Sequence, residues 1–201
     1  MLESERMKKS ILAGIIISIA SLQYVLIENH IISAIFFAFG LLCIFELKLN
    51  LFTGKAVDYN NYSCINFLEI LLGNIIGCFI IFIISIFSNK GDVIYNTANQ
   101  LCINKFASSY SNLFFSAVLC GILMGIAVRI NQNSINNVAK TYIIIMCITI
   151  FILTGGEHCI ADISYVLFGR YLSIKTIAQL TIIIIGNFIG SVGINYLTKH
   201  N

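Results

Sequence analysis

Charge is scarce in this sequence. Only 10% of its 201 residues are Asp, Glu, Lys or Arg, against roughly 25% in a soluble globular domain. With 58% hydrophobic residues and a mean hydropathy of +0.92, the chain cannot clothe a water-facing surface, which excludes a soluble, disordered or fibrous protein. Proline is absent, so any break in a helix falls to Gly or Thr. The formal net charge is only +3 and Lys and Arg are scattered, so no nucleic-acid partner is expected. There is no disulfide framework to read from the seven Cys, because Cys43, Cys78, Cys120 and Cys147 sit inside apolar runs, where Cys behaves as a small hydrophobe.

What the chain does have is apolar runs: Ile11–Ile27, Ile31–Leu47, Phe67–Phe87, Leu113–Val128, Tyr142–Leu153 and Ile177–Leu197. A membrane span takes about 20 mostly apolar residues; six leave no room for a sizeable extramembrane domain. The expectation is a single transmembrane domain over residues 1–201. The first run follows Lys8-Lys9 and has Ser18-Ile19-Ala20 as a conceivable cleavage site. Its apolar character continues to Ile27, so it reads as a span rather than a signal peptide. With six spans both ends share a side. Arg6, Lys8, Lys9, Lys48, Lys55, Arg129, Lys140 and Lys199 fall there; Lys90, Lys105, Arg170 and Lys175 fall opposite. The positive-inside rule then predicts cytoplasmic termini in an inner membrane.

The second and fifth runs stop short. One ends at Lys48-Leu49-Asn50-Leu51-Phe52-Thr53-Gly54, the other at Gly155-Gly156-Glu157-His158 before Ile163–Phe168 resumes. Both read as interrupted helices. Leu51-Phe52-Thr53-Gly54 precedes Gly73-Asn74-Ile75-Ile76-Gly77, as Ile152-Leu153-Thr154-Gly155 precedes Gly186-Asn187-Phe188-Ile189-Gly190. The Thr-Gly pairs are 101 residues apart and the Gly-Asn pairs 113, implying a 12-residue insertion in the second half. Three spans per half invert the second against the first. Interrupted helices at matching places in an inverted repeat point to a transport site near the midplane. The expected layout is repeat one over about 10–88, a polar connecting loop over about 88–110, and repeat two over about 111–198. The Gly-x-x-x-Gly stretches let helices approach closely, with Asn74 and Asn187 in a structural role, bonding backbone near the breaks.

An ionisable group in a membrane break is a functional candidate by default, which singles out His158 and its neighbour Glu157. His30 and His200 read as solvated bystanders. Adjacent residues such as Glu157, His158 and Cys159 do not face one another on a helix, and no His or Cys stands four residues from His158. No metal site, cofactor, nucleophile–base constellation or enzyme activity is expected. Asp162 does stand four residues beyond His158 and is expected to stabilise its imidazolium if that segment is helical. Thr53 and Thr154 offer hydroxyls at the breaks. Phe52 and Phe151 are placed to form an apolar constriction, and Lys105 precedes the fourth span.

These residues resemble the formate/nitrite transporter family. Thr154-Gly155-Gly156-Glu157-His158-Cys159-Ile160-Ala161-Asp162 is similar to the family's Gly-Phe-Glu-His-x-x-Ala-Asn, Leu51-Phe52-Thr53-Gly54 to its second-span loop, and the two Gly-Asn-x-Ile-Gly stretches to its third and sixth spans. The resemblance implies an all-α polytopic fold with six transmembrane helices in two inverted three-helix repeats. It also implies an aquaporin-like protomer with interrupted second and fifth helices, and a homopentamer with a pore through each protomer. By position, His158 matches the pore histidine, Thr53 the facing threonine, Lys105 the vestibule lysine, and Phe52 and Phe151 the constriction aromatics. Leu41 and Phe37 are expected near Thr53 on spacing, and Gly54 and Gly155 shape the breaks. The sequence departs from the family at Gly156 (usually Phe), Asp162 (usually Asn), Lys55 (usually Asn) and Gly121 (often Asn), and it is shorter.

The function implied is a channel or transporter for small monovalent anions such as formate, nitrite or hydrosulfide, coupled to protons through a midplane histidine. Its expected partners are those anions, protons and the lipid bilayer. Two rivals remain: a neutral-solute channel, which the absence of Asn-Pro-Ala motifs opposes, and a non-transporting membrane subunit.

Overall fold

The structure, a computed structural model, describes residues 3–198; Lys199 and His200 lie outside them. The elements in order are α1 Glu3–Leu26, α2 His30–Glu46, α3 Phe52–Ala56, a 3₁₀ turn Tyr59–Asn61, α4 Cys64–Ile86, α5 Gly91–Phe106, α6 Tyr110–Asn133, α7 Asn137–Leu153, α8 Cys159–Phe168 and α9 Ile174–Thr198. No strand occurs among the described residues. By length and composition α1, α4, α6 and α9 can each cross a membrane, while α2, α7 and α8 are shorter apolar helices. The two interruptions read from the sequence are therefore present, between α2 and α3 and between α7 and α8.

Helix starts are set by short polar side chains. Asn29 Oδ1 accepts the N–H groups of Ile31 and Ile32 at 3.1 Å, and Asn136 Oδ1 those of Val138 and Ala139 at 3.0 Å. Ser63 and Ser109 do the same for α4 and α6. Each cap satisfies donors that the first helical turn leaves open.

The two interruptions are built alike. After α2, Lys48 N–H donates to Phe45 O and Leu49 N–H to Ile44 O; after α7, Gly155 N–H donates to Ile152 O and Gly156 N–H to Phe151 O. This double bond pattern closes a helix end with one residue in the left-handed region, here Lys48 at φ 52° and Gly155 at φ 72°. Each chain then turns into the next helix under an asparagine clamp. Phe52 N–H donates to Asn74 Oδ1 (2.9 Å), while Asn74 Nδ2 donates to the carbonyls of Ser10 (2.8 Å) and Asn50 (2.9 Å). Cys159 N–H donates to Asn187 Oδ1 (2.8 Å), while Asn187 Nδ2 donates to the carbonyls of Ala117 (2.8 Å) and Glu157 (2.7 Å). Both asparagines are fully buried.

These matched bonds set the two interruptions in a different register from the one the Thr-Gly pairs suggest. Lys48 corresponds to Gly155 and Phe52 to Cys159, an offset of 107 residues, so the Thr53-Gly54 and Thr154-Gly155 pairs are not equivalent. Thr53 lies inside α3, after its break; Thr154 ends α7, before its break, and its hydroxyl donates to Ile150 O. From break to asparagine the second interruption is longer by six residues rather than twelve, and α8 is correspondingly longer than α3.

The most extensive packing joins α1 to α4 and α6 to α9. Glycine makes it possible: a Cβ on Gly14 would fall under 3.0 Å from Asn74 O, and one on Gly121 under 3.0 Å from Asn187 O. Gly77 and Gly190 lie as close to the backbones of α1 and α6. Close backbone approach supplies the contacts that lipid cannot compete away, and Gly121, a departure in sequence, has no room for a side chain.

Residues 88–110, expected as a polar loop, are largely the helix α5. It buries Ile94, Ala98, Cys102 and Phe106, one position per turn, against α8, α1 and α4.

Candidate transport site

The two asparagine clamps fix the first turns of α3 and α8, and those turns bring Thr53 and His158 together. Thr53 Oγ1 lies 3.0 Å from His158 Nε2, with both residues buried. His158 is also the N-cap of α8: its Nδ1 accepts the N–H of Ala161 at 3.3 Å. A backbone N–H can only donate, so Nδ1 carries no proton and the ring is the Nε2–H tautomer. Nε2 then donates to Thr53 Oγ1, and the threonine's own proton is left to point elsewhere.

Cavities approach this pair from both ends. One of about 300 Å³ is lined by Leu41, Leu51, Gly54, Lys48, Lys55 and Asp58 among others. Another, of about 50 Å³, reaches His158 itself and is lined by Tyr24, Phe37, Phe151, Lys105, Asp162 and Tyr165 among others. Phe151 stacks on the His158 ring (centroids 6.0–6.1 Å to its neighbours) and meets Phe37 edge to face. Of the four apolar residues expected at a constriction, Phe37 and Phe151 line the His158-side cavity and Leu41 the Thr53-side cavity. Phe52 lines neither; its ring packs against Phe67 and Phe188, because α3 turns it away from Thr53.

Lys105, from the end of α5, reaches Glu157 Oε2 at 2.6 Å and Asp162 Oδ1 at 3.4 Å. The expected pairing of Asp162 with His158 does not form among the described residues. Both ring nitrogens are already engaged, and the carboxylate turns to the ammonium instead. Glu157 is held through its backbone as well, its N–H donating to Ser116 O at 3.3 Å. Gly155 needs its left-handed φ, whereas Gly156 sits where a Cβ would lie 2.8 Å from Phe151 O; a Phe there does not fit this turn. Gly54 has an ordinary φ and open space, a Cβ meeting Val128 only at 3.8 Å, so its small size leaves room in the cavity. No group of His, Cys, Asp and Glu able to hold a metal occurs among the described residues.

Sequence reasoning passed over Lys48, taken only as an orientation signal, and the aromatic pair Tyr24 and Tyr165, whose centroids are 5.7 Å apart beside Lys105. The lysine's signal was its place right after α2.

The sequence matches the formate/nitrite transporter family over residues 4–200. This chain belongs to that family. Two solved structures share the fold of this formate/nitrite transporter family member. One, described as a pentameric formate channel with formate bound, is 20% identical with a TM-score of 0.82, covering 97% of this chain and 96% of its own. The other, an FNT family ion channel, is 20% identical with a TM-score of 0.75, covering 96% and 90%. Comparison with curated proteins finds no match. The chain is therefore an all-helical membrane protein of a transporter family.

Proposed function

We propose that the protein is a channel or transporter for small monovalent anions, formate, nitrite or hydrosulfide, passing between Thr53 and His158 within each chain. The observation that carries this reading is the buried 3.0 Å contact of Thr53 Oγ1 with His158 Nε2, set between cavities that open toward opposite ends. The Nε2–H donates inward to Oγ1, which aims the threonine hydroxyl proton at a passing acceptor. An oxyanion meets a hydrogen-bond donor at the centre of an otherwise apolar passage, where a bare charge is most costly.

In this reading the membrane is crossed six times, by α1, α2 with α3, α4, α6, α7 with α8, and α9, in two inverted halves. Support comes from the matched helix ends and asparagine clamps. Three crossings per half reverse direction, and the positive-inside rule puts the termini and the Lys48 mouth in the cytoplasm of an inner-membrane protein. Transport is coupled to protons at His158. A proton drawn from the water at the mouth travels with the anion, so that a near-neutral acid, accepting from the Thr53 hydroxyl, crosses the stretch walled by Phe37 and Phe151. The related pentameric formate channel supports formate as a substrate and a homopentamer as the assembly. Flux of formate, nitrite and hydrosulfide into proteoliposomes, with an internal pH dye, tests this. Uptake of at least one anion with parallel internal acidification is expected; impermeable vesicles containing correctly assembled protein would overturn the reading.

A further inference from the structure

The two mouths of the passage differ in charge balance. On the His158 side a single ammonium, Lys105, faces two carboxyls, Glu157 and Asp162, with side chains 8% and 1% exposed. The formal charges of the cluster sum to −1, Glu157 balancing the ammonium and Asp162 adding a negative charge beside it, and burial strengthens each interaction. On the Thr53 side, Lys48 and Lys55 line the same cavity of about 300 Å³ and also share the adjoining cavity with Arg6, Asn50 and Tyr62. Neither lysine has a carboxylate within ion-pair distance among the described residues. Glu46, two residues before Lys48, is exposed and pairs with neither lysine, and three other acids are committed elsewhere. Asp58 accepts from Arg129 at 3.0 Å and Gln132 at 2.7 Å, Glu69 pairs with Arg6, and Glu5 pairs with Lys9 at 2.8 Å. Lys48 also holds a left-handed φ of 52°, at a place where the other half has Gly155. A side chain there costs about 1–2 kcal/mol, and such strain at a cavity wall points to a use for the side chain.

We propose that Lys48 and Lys55 form the anion-capture site of the passage, on the Thr53 side, and that Asp162 removes this role from Lys105 on the other. Two of the sequence's departures, Lys55 and Asp162, then act together. One adds a positive charge to the first mouth, and the other turns the second, where Glu157 already balances Lys105, net negative. The ligand is a small monovalent oxyanion, drawn in by a field that salt screens within about 8–10 Å.

This rests on the proposed passage between Thr53 and His158, and the experiment separates the two. In planar bilayers holding the protein in one orientation, K48Q/K55N should raise the half-saturating formate concentration about threefold or more from the lysine side at low salt. From the other side it should leave it nearly unchanged, and 1 M salt should erase the difference. D162N should lower the half-saturating concentration from the His158 side. Equal effects on both sides, or none, would overturn the proposal. Independently of current, formate at constant ionic strength should protect Lys48 and Lys55 of the detergent-solubilised protein from acetylation, read by mass spectrometry. Protection without any wild-type current would sink the transport reading and leave the capture site standing; absence of protection would sink the capture site even if current flows.

Discussion

At the scale of single residues, the central fact is a hydrogen-bond direction. Ala161 N–H occupies His158 Nδ1, which forces Nε2 to donate to Thr53 and frees the threonine proton. T53V keeps the shape and removes both the acceptor for the ring and the donor for an anion. Formate flux should fall at least tenfold while T53S retains most of it, measured in matched proteoliposomes. The stranded Nε2–H should cost about 1–3 kcal/mol of stability, visible as a lower thermal midpoint in detergent. An unchanged flux in T53V would remove the pair from the pathway. His158 stands out in the sequence as an ionisable group in a membrane break, whereas Thr53 is level with Thr154 on the residues alone and is singled out by the family resemblance. The partner of Asp162 was not. Spacing along α8 offered His158, whereas the ammonium that takes the carboxylate comes from Lys105, 57 residues earlier.

Among the elements, the asparagine clamps do for the backbone what Thr53 and His158 need from it. Each break exposes peptide groups inside the membrane region, where unpaired backbone costs several kcal/mol per group; Asn74 and Asn187 each close two of them and tie the break to a neighbouring helix through a third bond, to Ser10 O of α1 or Ala117 O of α6. N187A should strand Cys159 N–H and the Glu157 carbonyl and remove the tie to the Ala117 carbonyl of α6. At about 1–3 kcal/mol per buried group, its loss should be among the largest of any single side chain here. N74A should cost a similar amount, since its three bonds are the counterparts. Thermal unfolding of both variants in detergent checks this, and a loss confined to one would argue against equivalent halves. The breaks and both asparagines could be read from sequence, but the register could not. The Thr-Gly match rested on letters, while the bonds pair Lys48 with Gly155. Helix α5 escaped because polar residues lower its average, although Ile94, Ala98, Cys102 and Phe106 recur every fourth position.

For the whole molecule, the question is whether the passage belongs to one chain or to the assembly. Apolar side chains such as Phe36, Phe39, Leu68 and Phe79 are exposed on the outside. In a membrane that face suits lipid and neighbouring subunits alike, so composition alone cannot count the copies. The site itself says more. Thr53 and His158 meet within one chain, with Phe37, Phe151 and Lys105 of the same chain beside the histidine. A pentamer, expected by native mass spectrometry at about five times 22.3 kDa, would then hold five independent passages. Co-expressing wild-type and T53V subunits at known ratios discriminates the alternatives. Independent passages give formate flux that falls in a straight line with the wild-type fraction. A shared central passage needing all five subunits intact gives a fall as the fifth power, so that half wild-type subunits leave only about one thirtieth of the flux. Linear dependence is the expected result, and a steep curve would move the pathway out of the protomer.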